Sequence, residues 1–385
     1  MTWPEVALGE VMTLDLEPHR VEAGQTYPNI GIYSFGRGTF AKAGIDAAST
    51  SASTLYRVRA GQIIYSRLFA FEGAYASVSA EHDGAFVSNE FPTFTVDPDQ
   101  VDPGYIAWLF RWHGTWRSLR AGAVGMGDRR QRVHPDRVLR HRILLPPLAE
   151  QRRTIMRLDA AAAAMEARIT AAGELKAELA AMLAAAFDRI TRDAPRSTMG
   201  EVAPLVRRPV MIDPDATYPE LGVRSFGKGT FHKPPLAGID VGSKKLFSIE
   251  PADLVFNIVF AWEGAVAVAE ASDVGRVGSH RFLSCVPDPS SATATFLRYW
   301  FLSEEGLLAL GRASPGGAGR NRTLGIKGLE AIRVPVPSLD AQHWFDRLQT
   351  KVRAARMAQA AATAELDALL PALLHDAFGD ADARD

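Results

Sequence analysis

The longest regular pattern of apolar and polar positions runs from Leu148 to Arg192. Apolar residues fall at Ile155, Leu158, Ala162, Met165, Ile169 and Ala172. Alternating steps of three and four are the seam of a two-stranded coiled coil. After Gly173 the seam restarts at Leu175, Leu179, Met182 and Ala186. The shortened step predicts a stammer that locally overwinds the pair. So narrow a seam needs a partner helix of similar length. Residues 339–378 supply one, with Phe345, Leu348, Val352, Ala355, Ala362, Leu366 and Leu369 at the same kind of spacing. Pro371 falls inside it, and its missing N–H and its ring predict a kink. The two helices are predicted to pair antiparallel within one chain. Each is about 60 Å long at ~1.5 Å per residue. Bundle packing or a dimer seam would use the same pattern.

Self-comparison decides between these readings. Gly9-Glu10-Val11 recurs as Gly200-Glu201-Val202, and Tyr27-Pro28 as Tyr218-Pro219. Ser34-Phe35-Gly36-Arg37-Gly38-Thr39-Phe40 recurs as Ser225-Phe226-Gly227-Lys228-Gly229-Thr230-Phe231. Phe69-Ala70-Phe71-Glu72-Gly73-Ala74 recurs as Phe260-Ala261-Trp262-Glu263-Gly264-Ala265. Leu148 and Leu339, Gln151 and Gln342, and Phe187 and Phe378 keep the same offset of 191 positions. The chain has 385 residues, so this unit is written twice and nearly fills it.

Within each half, short apolar runs alternate with Gly, Pro and Asp. Gln62–Tyr65 and Phe91–Val96 are examples that predict strands. Asp102-Pro103 predicts a helix start, with Asp as N-cap and Pro in the first turn. Tyr105, Trp108, Leu109, Trp112 and Trp116 would share one face of that helix. A Gly-rich loop follows, at 122–127 and again at 316–319, with arginines directly after it. A short strand, 143–145 or 332–336, then leads into the long helix.

Hydrophobic content of 47% and charged content of 23% are those of a globular protein. The N-terminus shows no basic region followed by an apolar run, so a cytoplasmic location is expected. The most apolar stretch, 254–269, is interrupted by Asn257 and Glu263 and predicts buried strands, not a membrane span. A single cysteine excludes an internal disulfide and a cysteine-based zinc site. The net charge of −1 argues against a nucleic-acid binder as a whole. The charge is uneven, however. Six arginines and two histidines lie between Arg129 and Arg142, with Asp136 the only acid. Arginine suits bidentate recognition of phosphate and guanine, although G- and C-rich coding would give the same bias.

No catalytic signature emerges. Residues 222–228 resemble a P-loop, but Gly229 stands where Ser or Thr would hold magnesium, and Arg37 replaces the Lys in the first copy. No Asn-Pro-Pro-aromatic motif, Gly-x-Ser-x-Gly elbow or His-Glu-x-x-His motif is present. Glu72 and Glu263 are read as turn residues. The Gly-x-Gly turns can bring Ser34, Arg37, Ser225 and Lys228 close to a phosphate, or can be tight turns with a solvated cation. The arginine loops are the leading DNA candidates, with Arg129, Arg130 and Arg132 in the first half and Arg320, Asn321 and Arg322 in the second. Arg67 and Asn257 join them, since Arg suits guanine and Asn adenine.

With Pro146-Pro147-Leu148-Ala149-Glu150-Gln151 opening the first long helix and a 191-residue repeat, the chain resembles the specificity subunit of type I restriction-modification enzymes. The second opening, Pro337-Ser338-Leu339-Asp340-Ala341-Gln342, keeps Leu and Gln but has Asp for Glu. The resemblance implies an α+β fold. Two similar α/β target-recognition domains (1–147 and 193–337), related by pseudo-two-fold symmetry, would be joined by two long antiparallel coiled-coil helices (148–192, and 338–385 with its tail). Each domain would read half of a bipartite double-stranded DNA site. Methyltransferase subunits would dock on the helices, with Gln151, Arg152 and Gln342 as partner-binding candidates, and a motor-nuclease subunit would join to cut. The resemblance implies no catalysis, cofactor or metal in the chain itself. A subunit serving a methyltransferase alone and a coiled-coil scaffold without DNA are the alternatives.

Overall fold

The N-terminal strand, Glu5–Ala7, pairs antiparallel with Arg142–Leu144, the last strand before the first long helix. Entry to and exit from the first domain are thereby tied together. The second domain repeats the closure with Arg196–Thr198 against Arg333–Pro335. The computed structural model describes residues 3–120, 132–317 and 322–379. The chain forms two units, Met1–Ala172 with Gln359–Asp385, and Gly173–Ala358. The cuts fall inside the long helices, so each unit holds one domain and half of each helix.

Each unit is built on an antiparallel four-stranded sheet. In the first unit the order is Met12–Leu14, Thr93–Val96, Ile63–Tyr65, Tyr75–Ser77. In the second it is Leu205–Val206, Phe282–Cys285, Leu254–Asn257, Val266–Val268. The first unit adds a five-stranded sheet that contains the hairpin of Thr26–Ile32 and Thr39–Asp46. In the second unit this region divides into two-stranded pairs. Pro234 and Pro235 account for part of the difference. They stand between Thr230–His232 and Leu236–Ala237, where the first copy has an unbroken strand. Proline cannot donate to a ladder and interrupts it.

A helix packs on each four-stranded sheet. Asp102 caps Pro103–Leu109 by accepting from the Gly104 N–H, and Thr293 caps Ala294–Phe301 by accepting from Phe296. The first core stacks Tyr75 on Phe110, with ring centroids 4.6 Å apart, and Tyr65 on Tyr75 at 5.3 Å. The second sets Phe256 edge-on to Phe301 at 4.9 Å. The single aromatic-faced helix expected from Asp102 onward is two helices, Pro103–Leu109 and His113–Arg120. Two side chains drive the break, because Thr115 Oγ1 donates to the Leu109 carbonyl and Trp116 Nε1 to the Phe110 carbonyl. Carbonyls capped in this way no longer continue the helix.

The long helices run over Leu148–Thr191 and Leu339–Phe378, and the second continues helical through Pro371. Within the first unit, Ile155, Leu158 and Ala162 share a core with Leu370, Leu373, Leu374 and Phe378. Within the second, Leu179, Leu183 and Phe187 share one with Phe345, Leu348 and Val352. The start of each helix therefore meets the end of the other, which is antiparallel pairing in both units. The expected seam needs correction in places. Ile169, Leu175, Met182 and Leu369 are exposed, and so are Ala355 and Ala362. Leu183, Leu370 and Leu374 take their place, because each helix end turns its apolar face toward a globular domain as well as toward its partner helix.

The amide of Gln151 fastens the first long helix to its domain, and no part of it is exposed. Its Oε1 accepts from the Asp102 N–H at 2.8 Å, and its Nε2 donates to the carbonyls of Gln100 at 3.0 Å and Pro146 at 2.8 Å. Gln342 does the same in the second unit. It accepts from the Thr293 N–H and donates to the carbonyls of Ser291 and Pro337. Both glutamines were expected to face a partner protein, but burial gives them an internal task. Arg152 is exposed and lies 3.6 Å from Asp102. Replacing Gln151 by Ala leaves buried polar groups unpaired, so it should lower the unfolding free energy of the first unit by about 1–3 kcal/mol. Replacing Arg152 should change it by less than about 0.5 kcal/mol. Denaturant unfolding followed by tryptophan fluorescence separates the two, and equal effects would refute the clamp.

Candidate nucleic-acid interface

The repeated Ser-Phe-Gly-x-Gly-Thr-Phe segment forms the same turn twice. The N–H of Tyr33 donates to Gly38, and that of Arg224 to Gly229, closing each turn. Gly38 and Gly229 have φ of 93° and 79°, and glycine is the residue that adopts this region without strain. Three residues earlier stand Phe35 and Phe226, with φ of 64° and 60°. A bulky side chain in this region is strained, at a cost of about 1–3 kcal/mol. The following glycines fit closely. A Cβ at Gly36 would lie 2.8 Å from Arg111 Cα, and one at Gly227 would lie 2.6 Å from Leu302 Cδ1.

A second repeated turn holds the first. The N–H groups of Phe35 and Gly36 donate to the carbonyls of Glu72 and Gly73, and those of Phe226 and Gly227 to Glu263 and Gly264. Ser34 Oγ donates to Glu72 Oε2 at 3.2 Å, and Ser225 Oγ to Glu263 Oε2 at 3.1 Å. Glu72 and Glu263 are thus anchors of the turn. Half-buried guanidinium groups complete the arrangement. Arg111 Nε donates to the Gly36 carbonyl at 2.8 Å, and Arg298 Nη2 to the Gly227 carbonyl at 2.7 Å. Burial pushes both guanidinium pKa values below their ordinary range, with Arg353 adding to the effect at Arg298.

The tips are left exposed. Phe35 shows 62% of its surface and Phe226 72%. Arg37 is exposed, with its guanidinium over Tyr33 and Nε donating to the Ser34 carbonyl. Lys228 is exposed beside the Phe226 ring, 5.8 Å from its centroid. Each tip therefore joins an aromatic ring, a cation and a rigid backbone.

The other candidates divide. Arg132 is exposed and pairs with Glu90 at 3.0 Å. Arg67 adjoins it, its N–H donating to the Glu90 carbonyl and its own carbonyl accepting from Val133. Its Nε is buried without a partner among the described residues. Arg322 lies over Trp262 at 5.0 Å and donates to the carbonyls of Gly311 and Ser314, so it fastens its loop to the helix Glu304–Ala313. Asn257 Oδ1 accepts from the Val259 N–H and caps the turn. Arg129, Arg130, Arg320 and Asn321 lie outside the described residues. Among the described residues, no group of three or more His, Cys, Asp and Glu could hold a metal, and no helix is long and apolar enough to cross a membrane.

Sequence reasoning missed Phe35 and Phe226. Their signal was present, since the same aromatic stands between Ser and Gly in both copies. Arg111 and Arg298 were missed too, and here the repeat gives no help, because Arg111 aligns with Leu302 and Arg298 with Ala107.

No family model matches the sequence, and comparison with curated proteins finds no match. Solved structures do match over nearly the whole chain. The HsdS subunit from Thermoanaerobacter tengcongensis superimposes with a TM-score of 0.64 at 20% identity, covering 98% of this chain and 96% of that one. A chain from a study of complex assembly and conformational transition in the type I restriction-modification system gives 0.69 at 19% identity, covering 98% and 97%. The fold is that of type I restriction-modification specificity subunits.

The anchoring of the tips is testable by stability alone. Gly36→Ala should destabilise the first unit, since it combines a disfavoured φ with a clash against Arg111. Phe35→Gly should leave the melting temperature unchanged or raise it, because it releases strain. If Phe35→Gly melts several degrees lower, the ring is a core residue and the reading of the tip fails.

Proposed function

We propose that this chain is the specificity subunit of a type I restriction-modification system, acting in the cytoplasm. Each unit reads one half of a bipartite double-stranded DNA site. The paired helices carry methyltransferase subunits, and a motor-nuclease subunit joins them. The chain performs no chemistry and selects which adenines its partners methylate and which DNA they restrict. The observation that carries this reading is the doubled unit: a domain and a long helix, written twice, whose fold matches specificity subunits end to end. The two turn tips support it. Ser34, Arg37, Ser225 and Lys228 belong to turns that present a cation and a fixed backbone, which suits phosphate contact. Arg67 and Arg132 offer a second cationic surface in the first unit, and Arg129, Arg130, Arg320, Asn321 and Arg322 belong to the loops proposed to reach base edges. Asn257 contributes through the turn it caps. Arg152, being exposed, is available to a partner subunit.

Expression with an adenine methyltransferase subunit in a host free of modification, followed by genome-wide mapping of methylated adenines, tests the reading. The expected motif has two short specified parts separated by a fixed unspecified gap. The chain alone, given S-adenosylmethionine and DNA, should transfer no methyl groups. Methylation at a continuous motif, or independent of this chain, would refute the proposal. Alanine at Arg129, Arg130, Arg320 or Arg322 should lower the salt dependence of DNA binding by about one unit where a phosphate contact is lost. It should cost roughly 1–3 kcal/mol where a base contact is lost. Wild-type affinity and slope in all four variants would remove these loops from the interface.

A further inference from the structure

Phe35 and Phe226 present a feature that the cationic loops do not explain. Each is a large apolar side chain mostly exposed to water, at φ of 64° or 60°. An exposed aromatic is ordinary, and so is an αL residue in a turn, but the two together in a bulky residue are rare. The combination occurs at matching positions in both units. In each, the backbone is fixed by two hydrogen bonds that it donates to the neighbouring turn and one that it accepts from a half-buried arginine. Strain held by so many supports is found where a side chain must point in one direction. The ring does not serve the core. Among the described residues, Phe35 meets one ring, that of Trp116, tilted at 6.1 Å between centroids, and Phe226 meets none, with only Lys228 approaching it.

The surroundings indicate what the rings meet. Exposed cations stand two residues further on, Arg37 over Tyr33 and Lys228 near Phe226, and the carboxylates within the turns, Glu72 and Glu263, are engaged with Ser34 and Ser225. A polyanion that also offers flat apolar faces satisfies both the cation and the ring. We infer that Phe35 and Phe226 are aromatic wedges, one per unit, that press against a base step of duplex DNA while Arg37 and Lys228 hold the adjacent phosphates. Wedges of this type partly unstack a step and favour sequences in which unstacking costs little. Phe35 and Phe226 would then add to half-site selectivity without a hydrogen bond to any base. The inference rests on the proposed DNA-reading function.

The test uses the full chain and a pool of duplexes with 40 randomised positions. Duplexes enriched by the wild type serve as the probe for Phe35→Gly, Phe226→Gly, Phe35→Tyr and Arg37→Ala. Each Gly variant should lose about tenfold or more in affinity, the scale of one lost base–aromatic contact. Its melting temperature should not fall, and its salt slope should stay at the wild-type value, because the ring is uncharged. Arg37→Ala should instead lower the salt slope by about one. Phe35→Tyr, which keeps the ring, should bind within about threefold of wild type. Affinity of both Gly variants within twofold of wild type would overturn the wedges and leave DNA reading standing. A Gly variant that melts lower and is not matched by recovery in Phe35→Tyr would also overturn them, as a structural role. Failure of the wild type to enrich any duplex would defeat the DNA reading itself, and the wedges with it.

Discussion

A single buried amide at the start of each long helix connects the parts of the molecule. Gln151 and Gln342 each spend three hydrogen bonds on the backbone, two toward the helix cap of their own domain and one toward the proline that precedes the long helix. In water such bonds contribute little net, but inside a core an unpaired partner is expensive. The helix and the domain are therefore held at a fixed angle. The aromatic groups around the clamp reinforce it, with Phe187 among Phe296, Tyr299 and Phe345 in the second unit, and Phe378 against Tyr105 in the first.

Rigidity at the base of each domain gives meaning to rigidity at its tip. Under the proposed function, a tip that selects a DNA sequence must place its side chains within a fraction of an ångström, and loops achieve this only when a scaffold fixes them. Here the scaffold is the second turn, the Ser–Glu contact and a half-buried arginine. The two copies reach the equivalent Gly carbonyl with arginines from different places, Arg111 in the turn after Pro103–Leu109 and Arg298 within the helix Ala294–Phe301. That difference shows the turn geometry kept while the supporting residues changed.

Much of the fold was legible in the sequence because it is repetitive. The helix ends at Leu148, Leu339 and Phe378, the Asp102 cap and the buried strands of residues 254–269 follow from periodicity and capping chemistry. The break after Leu109 was not legible, because it depends on Thr115 and Trp116 folding back on carbonyls that only the folded chain brings near. The outer seam positions were also misread. Met182 and Leu369 satisfy the heptad, yet the domains draw Leu183 and Leu370 inward instead. The candidate site was half legible. Ser34, Arg37, Ser225 and Lys228 could be picked by their repetition. The strain at Phe35 and Phe226 could not, since φ is invisible to composition, and Gln151 resembled a surface residue because its partners lie 49 to 51 positions earlier.

The central claim is that each unit is completed by halves of both long helices. Phe378 shares a core with Leu8 and Val11, as Phe187 does with Met199 and Val202. Between Phe187 and Gly200 lie 12 residues, and joining Asp385 to Met1 would place 15 between Phe378 and Gly9. Extra loop length of this kind costs little. A circular permutant opened between Arg192 and Asp193, with the old ends fused, makes the first unit continuous and the second discontinuous. The methylated-adenine map of this permutant, assembled with its partner subunits, is the most direct test. The account predicts the same two half-sites with the same gap as the natural chain. An unfolded product, or a map with an altered gap, would contradict it.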